Sequence, residues 1–485
     1  MSPRRLFTMA LTPLILTFGG GCHSTDPGPS GGETSASVPA EGVSTGAPVP
    51  RSEPPPFYLG GIQVNEAEPQ AWFDALKREG MNSVQVTDYA RHGEWDSDDL
   101  RWEEVPWVVE EIRGAKRNGL NVVFVARVAL DSESERNAFL WHGMILPKTD
   151  ALLDSWFEKY GRFVVRWAEV AEREGVDVLM LGSEMNALAS TLPAQRLPAL
   201  EEYFLNEEKQ QQRRREVLAH RDLVDEHELL RGEQGDFDSV EGYLDARIAI
   251  ERGWAETVAG GEREGVDAIN ARRARLQEHW LELIAKVRKV YGGKIGYAAN
   301  FDQYHLVGFW DALDVMGINA YFKLRNRLVE GGDGFEDRLY PLLREGWGGV
   351  LSSIQGFREQ RGLDLPVIFT EMGYTFRAES TLEPWAHTGF SLIQGPTRNS
   401  DGSDGPAEER LVVWEEQPDR LEERALAARA LYEAHRDLNT PFLRGILYWK
   451  LSSHEYHKEH EAFMVHIGAS TGDPVLPELR RFLGD

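Results

Sequence analysis

The stretch VDVLMLGSEMN, residues 176–186, is an apolar run that stops at a small-residue step and then presents a carboxylate, Glu184. A second run, LPVIFTEMGY at residues 365–374, ends in the same way at Glu371. One polar residue at a strand exit is ordinary, because every strand leaves the core somewhere. Two strands that both end in glutamate, far apart in the chain, are what a retaining glycosidase requires. One carboxyl protonates the departing oxygen and the other attacks the anomeric carbon. That chemistry needs the two groups within about 5 Å of each other. It also needs the proton donor to keep its proton near neutral pH, through an apolar surround and a neighbouring charge. Other chemistries find less support. Ser183 lacks the Gly-x-Ser-x-Gly elbow of a serine hydrolase, and no phosphate loop is present. His454, His457 and His460 in HEYHKEH have helical spacing that raises a metal site, but the zincin spacing is missing and a loop beyond the last strand is the simpler reading. No metal and no cofactor are expected.

The elements that must position the two glutamates follow from the period of the apolar residues. Strand-like runs at 57–65, 81–89, 120–130, 176–184, 294–301, 313–322, 365–374 and 443–453 alternate with amphipathic segments at 68–80, 105–115, 150–175, 274–292 and 420–438. Strand-helix repeats whose strands are apolar on both faces predict an α/β fold, a (β/α)8 TIM barrel enlarged by insertions. A doubly wound open sheet is the competitor, but no Gly-x-Gly-x-x-Gly turn follows the first strand. In a barrel the C-terminal ends of all strands face one cavity, so Glu184 on the fourth and Glu371 on the seventh converge. Residues of about 192–270 form a charged helical insertion after the fourth strand. Two readings of it stay open, a lid over the groove and a solvated helical hairpin without catalytic contact, the second favoured because aromatics are few.

Composition bounds the partners. The 485 residues are 41% hydrophobic with 14 tryptophans, which fill cores but also make flat platforms for sugar rings. A formal net charge of −26 argues against nucleic acid and against an anionic membrane surface. At the N-terminus Arg4 and Arg5 precede LFTMALTPLILTFGGGC, a secretory-type segment too short for a comfortable membrane span. Its Cys22, the single cysteine, follows three glycines as in a bacterial lipoprotein signal, so residues 1–22 are expected to be signal plus lipidated cysteine. Residues 23–56 are rich in Pro, Ser and Gly and are expected to be a disordered tether, with the catalytic barrel spanning 57–485. The expected location is the bacterial cell envelope, with membrane contact only through the lipid and the protein a monomer.

The sequence resembles glycoside hydrolase family 113, whose characterised members are mainly endo-β-1,4-mannanases. The matching stretches are WHGMI (141–145), WFEKYGRFVVRWAEVAEREGVDVLMLGSEM (156–185), GGKIGYAANF, LDVMGINAYF, PVIFTEMGY and ILYWKLS. The resemblance implies Glu184 as general acid/base and Glu371 as nucleophile. It also implies that Tyr321 donates a hydrogen bond to that nucleophile. Trp449 suits a platform beneath the sugar, and Asn300, Asn319, Tyr297 and Trp141 are candidate substrate-binding groups. Many members of the clan place an asparagine just before the acid/base to grip the sugar 2-hydroxyl; this chain has Ser183. The charges of Asp88, Arg91 and Arg127 suit either a rim salt bridge or a substrate carboxylate or amine. The implied activity is a retaining, β-mannanase-like hydrolysis of β-linked polysaccharide or oligosaccharide. Another β-glycan, including an amino-sugar polymer of the cell wall, and a non-catalytic carbohydrate-binding lipoprotein remain alternatives.

Overall fold

The computed structural model describes residues 49–62, 68–223, 231–232, 235–260, 265–329, 331–398, 404–454, 461–468 and 472–484. Eight parallel strands close into a barrel: β1 (Tyr58–Ile62), β2 (Ser83–His92), β3 (Asn121–Leu130), β4 (Val178–Ser183), β5 (Lys294–Asn300), β6 (Val315–Asn319), β7 (Val367–Met372) and β8 (Leu443–Tyr448). Each pairs with the next in sequence, and β1 pairs with both β2 and β8, so no edge is left open. The expected TIM barrel is the fold found. Strand β2 carries a short antiparallel addition, Leu100–Arg101, at its C-terminal end.

Alternation along each strand divides the core into two. On β3, Val123 and Val125 point into the barrel with Tyr58, Val178, Met180, Val315, Ile368 and Leu447, while Val122, Phe124 and Ala126 face the helices. Both faces are buried, which is why the strand reads as a continuous apolar run. Arg127 continues the inward series toward the C-terminal mouth. Outside, α1 (Pro69–Arg78) and α2 (Pro106–Arg117) start with proline at the first helical turn, where its missing N–H has no intrahelical partner to lose. Helix α3 (Asp150–Glu174) is capped by Thr149, which accepts from the Leu152 N–H at 3.2 Å, and ends at Gly175 with φ 70°. Its Trp156, Tyr160 and Trp167 pack on the barrel, and Trp167 stacks on Phe124 with centroids 4.8 Å apart.

The insertion is helical, as expected, with α4 (Ala199–Leu205), α5 (Glu207–Ala219) and α6 (Val240–Ala259) before α7 (Val266–Val287) returns to β5. It is not a solvated hairpin. Val217, Val240, Tyr243 and Leu244 are buried against Phe390, Leu392, Leu411 and Val413 of an antiparallel hairpin, Phe390–Arg398 with Asp404–Val413, that follows β7. Neither that hairpin nor helix α8 (Phe335–Arg361) is among the elements expected from the sequence. Pro341 and several glycines inside α8 blur its helical period. Helix α9 (Leu421–Asp437) lies between β7 and β8.

Residues 49–56, expected to belong to the tether, are held against the barrel. Val49 donates to the Arg173 carbonyl at 3.0 Å, Ser52 N–H donates to Asp177 at 3.0 Å, and Arg51 pairs with Glu172, so residues from Val49 onward are bound at the N-terminal face of the barrel. Residues 1–48, including the signal segment and Cys22, lie outside the described residues. Among the described residues no helix is long and apolar enough to cross a membrane.

The loops above β6 and β7 are held by buried ions. Arg325 donates to Glu423 at 2.8 Å and to Glu379 at 2.7 Å. Glu423, on α9, also accepts the backbone N–H groups of Glu379 and Thr381 at 3.0 and 2.9 Å. With the Thr381 hydroxyl donating at 2.6 Å as well, four hydrogen bonds converge on this buried carboxylate and make it hard to replace. Glu423→Ala is expected to lower unfolding free energy by about 3 kcal/mol, measured by urea denaturation, because it leaves a buried guanidinium under-compensated. The exposed control Glu416→Ala should stay within about 0.5 kcal/mol of the parent.

Candidate functional site

Glu184 sits one residue beyond β4, and the chain aims it by a local irregularity. Pairing between β4 and β5 shifts register between Met180 and Ser183, and Glu184 itself has φ 52°. A non-glycine residue in this left-handed region costs on the order of 1–3 kcal/mol and persists only where its surroundings hold it. Here the Glu184 N–H donates to the Ala298 carbonyl at 2.9 Å and the Met185 N–H to the Tyr297 hydroxyl at 3.0 Å. A Cβ at Gly182 would meet the end of the Met185 side chain at 2.5 Å and the Tyr160 hydroxyl at 3.0 Å, so glycine leaves both where they are. Glu371 is turned inward in the same fashion, after a register shift between β7 and β6 at Phe369/Glu371.

The two carboxylates meet on one guanidinium. Arg127 donates from Nη1 to Glu371 Oε1 at 2.5 Å and from Nη2 to Glu184 Oε2 at 3.0 Å. Tyr321 OH donates to Glu371 Oε2 at 2.8 Å, and His142 Nε2 lies 3.2 Å from Glu184 Oε2. All of these groups are buried. One guanidinium thus contacts both carboxyls and holds them as neighbours.

Their electrostatics reverse the expectation. Burial pushes Glu184 up, but the hydrogen bond from His142 and the charge of Arg127 outweigh it and hold the carboxyl below the usual glutamate value. Burial pushes Glu371 to about 7; Arg127 opposes this in part and the neighbouring Glu184 charge adds to it. Glu184 was expected to be the raised member. The reason for the difference is that two cationic or donor groups, from β3 and the loop after it, converge on the same oxygen of Glu184. The pair titrates as a unit, with one proton between two carboxyls that cannot both ionise cheaply.

The remaining candidates separate. Asn319 and Trp449 lie on the cavity side; the Asn319 amide donates to Ser183 Oγ at 3.2 Å and accepts from Thr370 Oγ1 at 2.7 Å. Asn300 pairs in register with Asn319 at the mouth, its side chain accepting the Phe301 N–H at 2.8 Å. Tyr297 is not with them. It is fully buried on the outer face among Trp280, Phe309 and Trp310, where its hydroxyl fixes the turn after Glu184. Trp141 is half-buried, with its ring over Gly143 and edge-on to His142 at 5.0 Å. Asp88 is no rim charge, since it faces α3 and accepts from Trp167 Nε1 at 2.8 Å. Arg91 is exposed at the end of β2.

Two groups escaped the sequence reading. His142 stood inside the quoted WHGMI stretch but in an irregular loop, where no period says which side chain turns inward. Trp385, from the loop after β7, stacks on Phe301 at 4.9 Å and 14°, adding a second aromatic surface at the mouth. Among the described residues no group of three or more His, Cys, Asp or Glu is arranged to hold a metal ion; His457 and His460 lie outside the described residues.

The model of glycoside hydrolase family 113 matches residues 62–192 and 242–397. Among solved structures, a complex of a family 113 β-1,4-mannanase superposes with TM-score 0.52 at 17% identity, covering 88% of this chain and 98% of that one. A second structure, the family 113 β-mannanase AaManA from Alicyclobacillus acidocaldarius in complex with ManMIm, gives 0.50 at 17% identity, covering 88% and 95%. At that identity these likenesses bear on the fold. No curated protein matches the chain.

The proton on Glu371 has a measurable consequence. A free glutamate titrates at 4.5 and Glu371 at about 7, so the folded chain binds a proton in the window between that the unfolded chain has released. This stabilising contribution is full below the unfolded value and is lost as pH rises through the folded one. Glu371→Gln, neutral throughout, should therefore show a shallower fall in urea midpoint than wild type between about pH 5 and pH 8. Glu111, buried and pushed to about 8, adds the same slope to both proteins. Parallel midpoint curves for the two proteins would contradict the assigned proton.

Proposed function

Because this chain belongs to glycoside hydrolase family 113, we propose that it is a retaining β-glycoside hydrolase of the β-mannanase type, acting on a β-1,4-linked, mannose-containing glycan in the cell envelope. The observation that carries this reading is the pair of buried carboxylates at the ends of β4 and β7, joined by Arg127.

In the proposed reaction Glu371 attacks the anomeric carbon and the bond to the leaving oxygen breaks, with Glu184 giving that oxygen its proton. A covalent glycosyl-enzyme forms on Glu371. Glu184, now ionised, takes a proton from water, the hydroxide adds to the anomeric carbon, and Glu371 is released with net retention. Burial raises Glu371 while His142 and Arg127 lower Glu184, so sugar binding must shift the proton toward Glu184 for the first step. Positive charge developing at the anomeric carbon favours the ionised nucleophile, and Tyr321 and Arg127 are placed to hold it in that form. Ser183 replaces the asparagine that many relatives use on the 2-hydroxyl, and Asn319, bonded to Ser183 Oγ, supplies an amide beside Glu184 instead. Trp449 and the Phe301–Trp385 stack offer apolar faces for the sugar rings.

Purified protein lacking residues 1–48 should hydrolyse at least one member of a β-glycan panel, with the β-anomer seen first by NMR. Glu371→Gln should lose several orders of magnitude in kcat. Glu184→Ala should lose roughly 10²- to 10⁴-fold on substrates with poor leaving groups and much less on activated aryl glycosides. Azide should rescue Glu184→Ala and yield a β-glycosyl azide, with no such rescue of Glu371→Gln. An inverted first product, or intact turnover in both variants, would overturn the assignment.

The proposed anchor is the lipidated Cys22. Cys22→Ala should move the protein from the membrane to the soluble fraction with kcat unchanged; membrane retention would rule out the lipid anchor.

A further inference from the structure

The base of the hairpin after β7, residues 390–393 with 411–413, is buried on both faces. Cross-strand neighbours Phe390↔Val413 and Leu392↔Leu411 share one face and pack on the insertion, against Val217 and Val240. On the other face Ile393 and Val412 pack with Leu382 and Trp385 of the loop that leaves β7. The insertion's cluster then continues to the loop after β3. The Phe139 ring meets Tyr243 edge-on at 5.1 Å, and Trp254 Nε1 donates to the Met144 carbonyl at 2.8 Å. That loop carries His142, the neighbour of Glu184. On the other flank of Glu184, Asn186 reaches Asp302 at 3.4 Å, and Phe301 at the end of β5 is covered by Trp385. An unbroken line of side-chain contacts therefore runs from the loop after β3 through the insertion and the hairpin to the loop after β7.

Glu184 lies inside this arc. The leaving sugar must sit on the side of the group that protonates its oxygen, so the arc stands where the leaving-group end of a long glycan would pass. Residues 193–241, which supply α4, α5 and the first residue of the wall in α6, fall between the two segments that the family model matches. Of the wall's side chains, Phe139, Tyr243 and Leu392 lie inside the matched segments, and what is added to them is α4, α5, Val240 and the second strand of the hairpin. Apolar burial on both faces of the hairpin's base holds it in place, unlike a loop with few buried contacts.

We propose that this wall closes the leaving-group end of the cleft, so that the enzyme releases one or two sugar units from the reducing end of a glycan and does not cut long chains internally. This rests on the retaining-glycosidase reading above and assigns its substrate class as chain ends and short oligosaccharides. The residues that set the limit are Phe139, Tyr243, Leu392 and Leu411, none of which touches the reacting carboxyls.

The test uses the folded protein and β-1,4-linked manno-oligosaccharides of increasing length labelled at the reducing end, or the same series of whichever β-glycan the panel identifies. Wild type should release the label on mono- and disaccharides whatever the chain length. It should also lower the viscosity of the corresponding polymer only slowly for each bond cut. The double variant Phe139→Ala/Tyr243→Ala should keep its rate on an activated aryl glycoside within about two-fold while labelled products of three or more units rise several-fold. Long labelled fragments from wild type, or an early collapse of viscosity, overturn the wall as a length limit even if the variant does not fold. Absence of cleavage of every glycan, with wild type indistinguishable from Glu371→Gln, overturns the glycosidase reading and the wall's role with it.

Discussion

Two carboxyls buried side by side repel each other, and the rest of the site is arranged around Arg127, whose guanidinium contacts both. Arg127 continues the inward series Val123, Val125 on β3, two residues beyond the point where apolar side chains stop filling the barrel. Its planar guanidinium has donors in a fixed fork, so it can serve Glu184 with one nitrogen and Glu371 with the other. A lysine at that position would supply the charge without the geometry. Because β2 and β3 pair over ten consecutive positions, from Ser83↔Asn121 to His92↔Leu130, the base of this cation is set by a long, regular ladder.

The carboxyls reach it from irregular backbone. Both Glu184 and Glu371 follow register shifts, and Glu184 adds a left-handed conformation. Such strain needs support from outside the cavity, and the outer aromatic layer provides it. Tyr160 of α3 donates to the Leu181 carbonyl at 2.6 Å, and Tyr297 of β5 accepts from Met185, so two fully buried tyrosines bracket the turn. Residues that never meet a substrate thereby decide where a reacting oxygen points.

The same logic extends to the loops. Glu423 and Arg325 fasten the segments after β6 and β7, from which Trp385 reaches across to Phe301. The hairpin beyond them joins the insertion after β4, so elements from distant parts of the chain pack into one cluster above the barrel. A barrel tolerates such additions because its strands are already paired all round, and its loops can grow without opening an edge.

Much of this was legible in the chain itself. Apolar runs of strand length alternating with amphipathic segments specify a parallel α/β fold covered on both faces, and eight such strands without a Gly-x-Gly-x-x-Gly turn after the first favour the barrel over the doubly wound sheet. The glutamates at the ends of the fourth and seventh strands follow from that, and so does Tyr321, whose inward position two residues after Asn319 is set by the strand period. The same period could have excluded Tyr297: three residues from Asn300 on one strand, it must face the other way. What only the tertiary structure decided are relations between segments with no common period: His142 entering from an irregular loop, the shared Arg127, the proton resting on Glu371, and the hairpin meeting the insertion. Local sequence specifies which face of an element is apolar, because that depends on spacing along one strand or helix. Which charges meet inside the cavity depends on how distant loops close over it, and no local pattern encodes that.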